Sequence, residues 1–223
     1  SHITTVNLDE YLGLSAGHPQ SYRSFMRKNL FDGIGLSADR TFFPEIPERL
    51  SDCRKNIPPS IGGIRNETNQ DIETALAETC RQYDELLRSL GGTDLQLLGI
   101  GRNGHIGFNE PGDTFIRNTH TVMLAEDTRQ ANSRFFSSID DVPTRACTMG
   151  IGGIFSAKKI LLLANGAQKA QALQAAFCGP VTPQVPASIL QLHPDVTVIA
   201  DEAAGQLLAD GLSARRKPTF AVP

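Results

Sequence analysis

Residues 95–111, Leu-Gln-Leu-Leu-Gly-Ile-Gly-Arg-Asn-Gly-His-Ile-Gly-Phe-Asn-Glu-Pro, decide how the rest of this chain is read. The first six, Leu95 to Ile100, form a short apolar run of the kind that makes a strand buried in a sheet. A glycine-rich turn follows at once. Gly99, Gly101, Gly104 and Gly107 let the backbone reverse sharply and approach a ligand closely. In open parallel sheets, ligands bind beyond the carboxyl ends of the strands. His105 is the one side chain here whose unperturbed pKa lies near neutrality. Glu110, five residues on, is placed to share a hydrogen bond with it, which would orient the ring and tune its proton transfer. A structural glycine turn with a surface histidine is the plain alternative, and glycine-rich loops alone are weak signals.

Outward from this stretch, apolar runs alternate with helical ones. Ile160–Ala164 and Val196–Ala200 read as further buried strands, and Ile3–Leu8 as a β-branched one; Thr121–Leu124 and Thr148–Ile151 carry a weaker strand pattern. The clearest helix spans 70–90, with Ile72, Leu76, Tyr83, Leu86 and Leu90 on one face and Gly91-Gly92 as its stop. Others are expected at Ser21–Phe31, Gln168–Phe177 and Glu202–Leu212. Pro58-Pro59 and Gly62-Gly63 mark a loop over 52–69. Continuous apolar strands separated by helices predict one α/β domain over residues 1–223, with an open, mostly parallel sheet and helices on both faces.

Composition narrows the function. The 223 residues are 40% hydrophobic and 20% charged, which suits a globular protein. A net charge of −3 leaves no electrostatic footprint for nucleic acid. No apolar run approaches the roughly 20 residues that cross a bilayer, so no membrane partner is expected. Cys53, Cys80, Cys147 and Cys178 form no C-x-x-C pair. A chain of this length needs no disulfide staples, so reduced thiols and a cytoplasmic location are the expectation. There is no H-E-x-x-H and no Cys/His ligand cluster, so no metal is expected.

A second motif lies near the start: Asn7-Leu-Asp-Glu-Tyr-Leu-Gly-Leu14. Its adjacent carboxylates, Asp9 and Glu10, would alone read as a polar turn or a helix cap. Together with the run at 99–111, the chain resembles the glucosamine-6-phosphate deaminase family. That family's signature is close to G-x-G-x-[D/N]-G-H-I-x-F-N-E-P, and its first motif to N-[LM]-D-E-Y-x-G-L. The related 6-phosphogluconolactonases share the G-H core but continue toward S-L-F-P, whereas this chain has Phe108-Asn109-Glu110-Pro111. Ser21-Tyr22-x-Ser-Phe25-Met26 also matches the family, and the resemblance runs from about Thr4 to about Gly205.

The resemblance implies a Rossmann-like α/β fold. It also implies an enzyme that converts glucosamine 6-phosphate and water to fructose 6-phosphate and ammonia, with no cofactor. Asp9 takes the place of the base that moves a proton between C2 and C1. His105 and Glu110, with Asn103, take the place of the ring-opening group. Many relatives have aspartate where this chain has Asn103, and an amide does not carry charge. Arg134 and Lys169 stand where the family binds the substrate phosphate, and Tyr22 is a further binding residue. His120 and Val122 stand where allosteric relatives carry an R-x-K pair, so hyperbolic kinetics are expected. Relatives begin with a strand, a G-[TS]-G-x-T-P phosphate loop and a helix that are not in this sequence, which reads as a truncated or naturally short form. The nearest alternative is another sugar-phosphate enzyme of this superfamily, such as a galactosamine-6-phosphate deaminase. A non-catalytic sugar-phosphate sensor is the alternative from another class. Whether the chain is a monomer or a homo-oligomer is left open.

Overall fold

A buried helical face organises the first half of the molecule. Ile72, Leu76, Cys80 and Tyr83 follow one another at spacings of four, four and three, and all are buried. Leu12, Ile72 and Leu76 form one cluster. The structure is a computed structural model and describes residues 2–46 and 69–215. The loop expected over 52–69 therefore lies outside the described residues, apart from Asn69, which opens a helix. Cys53 lies outside them too.

The strands are β1 (Thr5–Val6), β2 (Asp9–Tyr11), β3 (Thr41–Phe42), β4 (Leu95–Gly99), β5 (His120–Met123), β6 (Arg145–Thr148), β7 (Lys159–Ala164) and β8 (Val196–Ala200). The α-helices are α1 (Tyr22–Met26), α2 (Asn69–Ser89), α3 (Glu126–Asn132), α4 (Ile151–Phe155), α5 (Ala170–Cys178) and α6 (Glu202–Arg215). The chain divides into two compact units, Ser1–Gly92 with Ile116–Gly153, and Thr93–Phe115 with Ile154–Pro223.

The first unit holds two sheets. β1 pairs with β3 in parallel, and β2, β6 and β5 form an antiparallel sheet in that order. Helix α2 packs against β5. Arg145 on β6 grips Glu73 on α2 through two hydrogen bonds of 2.7 and 3.0 Å. The Asp84 carboxylate, also on α2, accepts the backbone N–H and the hydroxyl of Thr119. Phe31, Leu36 and Phe43 make a separate cluster on which Tyr22 and Met26 rest.

The second unit is built on the parallel sheet β4–β7–β8. In register across it, Gln96, Leu98, Ile160 and Leu162 are buried. Helix α6 packs against β8 and against α5. The opposite face of the sheet shows Leu95, Leu97, Leu163 and Ile199 exposed.

Several expectations change. The strand expected at Ile3–Leu8 ladders only over Thr5–Val6, and the next strand begins at Asp9. The strand expected over Thr148–Ile151 is instead the end of β6, because Ile151 opens α4. The N–H groups of Ile151 and Gly152 bond the carbonyls of Ile116 and Arg117, both at 2.9 Å, which turns the chain out of the ladder. The helix expected over Ser21–Phe31 is α-helical to Met26 and a π-turn over Arg27–Phe31. Leu90 falls outside α2 and is exposed. The antiparallel sheet of the first unit was not foreseen.

Gly150 makes the tight approach at this turn possible, since a Cβ there would overlap the backbone of Arg117 and Asn118. Backbone cannot rotate away as a side chain can. Gly150→Ala is expected to destabilise the fold by about 2 kcal/mol or more, a drop of several degrees in Tm. Thermal unfolding followed by circular dichroism checks this, and an unchanged Tm would show that the two segments have room to separate.

Candidate functional site

In the second unit, the residues of the 95–111 stretch converge as their spacing requires. After β4, Gly104 donates its N–H to the Gly101 carbonyl at 3.0 Å and Gly101 donates to the His105 carbonyl at 2.9 Å, which closes a tight turn. Gly104 has φ +87°, open to glycine at little cost, and a Cβ there would press on Val185. Ile106 and Phe108, both buried, pin the loop inward.

The turn presents one shared acceptor. Glu110 Oε2 lies 2.7 Å from the Asn103 side-chain nitrogen and 3.3 Å from His105 Nδ1. The Asn103 side-chain oxygen in turn accepts the His105 backbone N–H at 3.2 Å. The His105 and Glu110 side chains are 17% and 10% exposed, so this network is largely shielded from water. A carboxylate bonded to Nδ1 fixes the tautomer and leaves Nε2 as the working nitrogen. Asn103 holds both Glu110 and the His105 backbone. An aspartate at position 103 would set a second carboxylate against Glu110. Gly101 has its own part, since a Cβ there would overlap the His105 ring.

Lys169 sits in the turn Ala167–Lys169 that opens α5, and its Nζ donates to the Ile100 carbonyl at 2.6 Å. That bond ties the lysine to the carboxyl end of β4, where the glycine turn begins.

The first unit holds the other candidates. Asp9 opens β2, opposite Thr148 of β6, and is 8% exposed. Burial, with the neighbouring Glu10 charge as a smaller cause, raises its pKa to about 8. Glu10 is buried too, but its oxygens accept the backbone N–H groups of Tyr11, Tyr22 and Arg23 at 2.9, 2.9 and 3.0 Å. Burial raises the Glu10 pKa while those bonds lower it, with a net rise. Glu10 thus takes the first two N–H groups of α1, whose N-cap is Ser21.

Tyr22 stacks on Tyr11, with ring centroids 5.2 Å apart and planes at 21°. Burial, and after it the Asp9 charge, push the Tyr22 phenol well above its ordinary range. Phe136 meets the Tyr11 ring edge-on at 6.1 Å. Arg134, two residues before it in the turn Ser133–Phe135, is exposed, with its guanidinium 4.6 Å over the Phe135 ring. His120 lies on β5 with Nδ1 bonded to the Asn118 carbonyl at 3.0 Å, and burial lowers its pKa. Val122 lies two residues on, in the same strand.

The structure therefore brings Asn103, His105 and Glu110 into one network, and Asp9, Tyr11 and Tyr22 into another. The sequence reading missed Tyr11 and the work of Glu10. Among the described residues no group of three or more His, Cys, Asp or Glu is arranged to hold a metal ion. No described helix is long and apolar enough to cross a membrane.

Comparison with known proteins joins these networks to a family. A family model for glucosamine-6-phosphate isomerases/6-phosphogluconolactonase matches residues 9–199. The glucosamine-6-phosphate deaminase of Geobacillus sp. (strain WCH70) is 49% identical over 209 residues, covering 94% of this chain and 73% of that protein. The glucosamine-6-phosphate deaminase of Clostridium perfringens (strain 13 / Type A) is 46% identical over 208 residues, 93% of this chain and 76% of that one. Among solved structures, a monomeric glucosamine-6-phosphate deaminase superposes with a TM-score of 0.77 at 47% identity, over 93% of this chain and 76% of that one. The 6-phosphogluconolactonase of Trypanosoma brucei, 16% identical with a TM-score of 0.60 over 91% of this chain and 73% of that one, shares the fold alone. With the family model spanning both networks and relatives this similar over most of its length, the chain belongs to the glucosamine-6-phosphate isomerase/6-phosphogluconolactonase family.

Proposed function

We propose that this chain is a glucosamine-6-phosphate deaminase, converting glucosamine 6-phosphate and water to fructose 6-phosphate and ammonia. The observation that carries the reading is Asp9, a buried carboxyl whose pKa is raised to about 8. A base for a carbon acid works best when its pKa lies near the working pH. An exposed aspartate, with a pKa near 4, is a weaker base for the proton on C2.

The reaction begins with a closed sugar ring. His105, oriented by Glu110 and supported by Asn103, passes a proton to the ring oxygen and helps draw the proton from the anomeric hydroxyl. In the open chain, Asp9 removes the C2 proton, the electron pair forms a double bond between C1 and C2, and the C1 carbonyl electrons move onto O1, which takes back the proton drawn from the anomeric hydroxyl to give an enol. The same carboxyl returns a proton to C1, which leaves an imine at C2. Water adds to that carbon and ammonia departs. Arg134 and Lys169 are the cations for the substrate phosphate, and Tyr22 walls the Asp9 side. Each step uses groups of this chain and water.

The names of the relatives support this reading, as does Phe108-Asn109-Glu110-Pro111 in place of the lactonase continuation. The C4 epimer, galactosamine 6-phosphate, is the competing substrate. We also infer hyperbolic kinetics without an effector, because His120 and Val122 offer no arginine–lysine pair. A relative described as monomeric fits that inference. A cytoplasmic location fits a metabolic enzyme with a sugar-phosphate substrate.

Three outcomes are expected. Ammonia release from glucosamine 6-phosphate should fall by roughly 10²–10⁴-fold in Asp9→Asn; activity within a few-fold of wild type would remove Asp9 from the mechanism. The same change tests the pKa through stability. An aspartate with a folded pKa near 8 holds a proton that the unfolded chain has lost above about pH 4, so stability falls as pH rises between those values. Asp9→Asn abolishes that fall, and its Tm relative to wild type should climb from pH 5 to pH 8. Finally, Gly101→Ala, by displacing the His105 ring, should slow the natural closed-ring substrate far more than an open-chain analogue. Equal losses on both would place His105 outside ring opening.

A further inference from the structure

We propose that Glu10 is a positioning residue for the deamination: its carboxylate draws the start of α1 onto the strand that carries Asp9 and keeps a like charge beside that base. This rests on the reading of Asp9 as the proton-transfer base.

The geometry is specific. Glu10 is 6% exposed, and both its oxygens are occupied by main-chain donors. The first N–H groups of a helix have no partner within the helix. Ser21 caps α1 at Ser24 at 3.1 Å, while Glu10 takes Tyr22 and Arg23, reaching 12 and 13 residues along the chain. One side chain thus closes the whole segment between β2 and α1. That closure seats the Tyr22 ring on Tyr11, next to Asp9. Its third bond, to the Tyr11 N–H, binds the carboxylate to the strand itself.

A neutral acceptor would serve as a cap, so the charge calls for a separate role. Among the described residues, the titratable groups that feel the Asp9 charge are Tyr11 on its own strand, Tyr22 of α1, Tyr83 of α2 and Cys147 of β6, and His120 of β5 lies opposite Thr148; Arg23 of α1 and Asp84 of α2 are the nearest charges on the packed helices. Arg23 is paired with Glu45 and lies over the Phe43 ring, and Asp84 is engaged by Thr119. Glu10 is the adjacent residue and an acid held by three donors. Its charge disfavours a second charge on Asp9, which makes Asp9 the stronger base.

The test compares the pH dependence of kcat in wild type, Glu10→Gln and Glu10→Asp, with Asp9→Asn alongside. Glu10→Gln removes the charge, so the acid limb of kcat should move down by about one pH unit or more. Glu10→Asp keeps the charge but is a methylene too short to hold α1. Its kcat should fall roughly tenfold to a hundredfold with KM little changed and the acid limb in place. A cap with no further role would leave the limb in place in both. An unmoved limb in folded Glu10→Gln overturns the proposal. If Glu10→Gln does not fold, Glu10→Asp decides: wild-type kcat, or a lowered limb, overturns it. Loss of turnover in Asp9→Asn keeps the base assignment whichever way Glu10 falls, and retained turnover there sinks that assignment instead.

Discussion

Two carboxyl groups side by side on a buried strand are expensive to ionise together, and the first unit is arranged around that constraint. Burial disfavours each charge, and each charge disfavours the other. The structure resolves the conflict unequally. Glu10 receives three backbone N–H groups, while Asp9 is left in a setting that pushes its pKa to about 8. Pairs of titratable groups driven apart by their surroundings are how one protein obtains groups with different proton affinities from the same chemistry. The surrounding aromatic rings deepen the effect, since Tyr11 and Tyr22 exclude water from the same place.

The second unit solves a complementary problem. A histidine serves one chosen atom of a substrate best when its ring is held in one orientation. Glu110 does that from five residues away because the glycine turn folds the loop back on itself. Asn103 adds a neutral donor to Glu110. The amide satisfies one lone pair of the carboxylate without adding charge, so position 103 sets no second carboxylate beside the Glu110–His105 contact.

Much of this was legible in the sequence. The run 95–111 carried its strand and its loop because both are local: apolar residues at 95–100, then glycines spaced for a turn, with the histidine and carboxylate inside the same thirteen residues. Helix α2 was legible for the same reason, through Ile72, Leu76 and Tyr83. The antiparallel sheet was not, because β2, β5 and β6 are three or four residues long and carry Asp9, Glu10, His120 and Arg145 among their apolar positions. Strands that short have no periodicity to detect. Leu95, Leu97, Leu163 and Ile199 read as buried from hydrophobicity alone, yet lie exposed on one side of their sheet. The bonds of Glu10 escaped because all three donors are backbone groups, two of them 12 and 13 residues distant, which carry no side-chain signature.

The proposed deamination stands on the proton affinity of one side chain. Selective carbon-13 labelling of the aspartate carboxyls, with the Asp9 resonance assigned by its loss in Asp9→Asn, allows that carboxyl to be titrated directly by NMR. A midpoint near 8 is expected. A midpoint near 4, the ordinary value for an exposed aspartate, would contradict it.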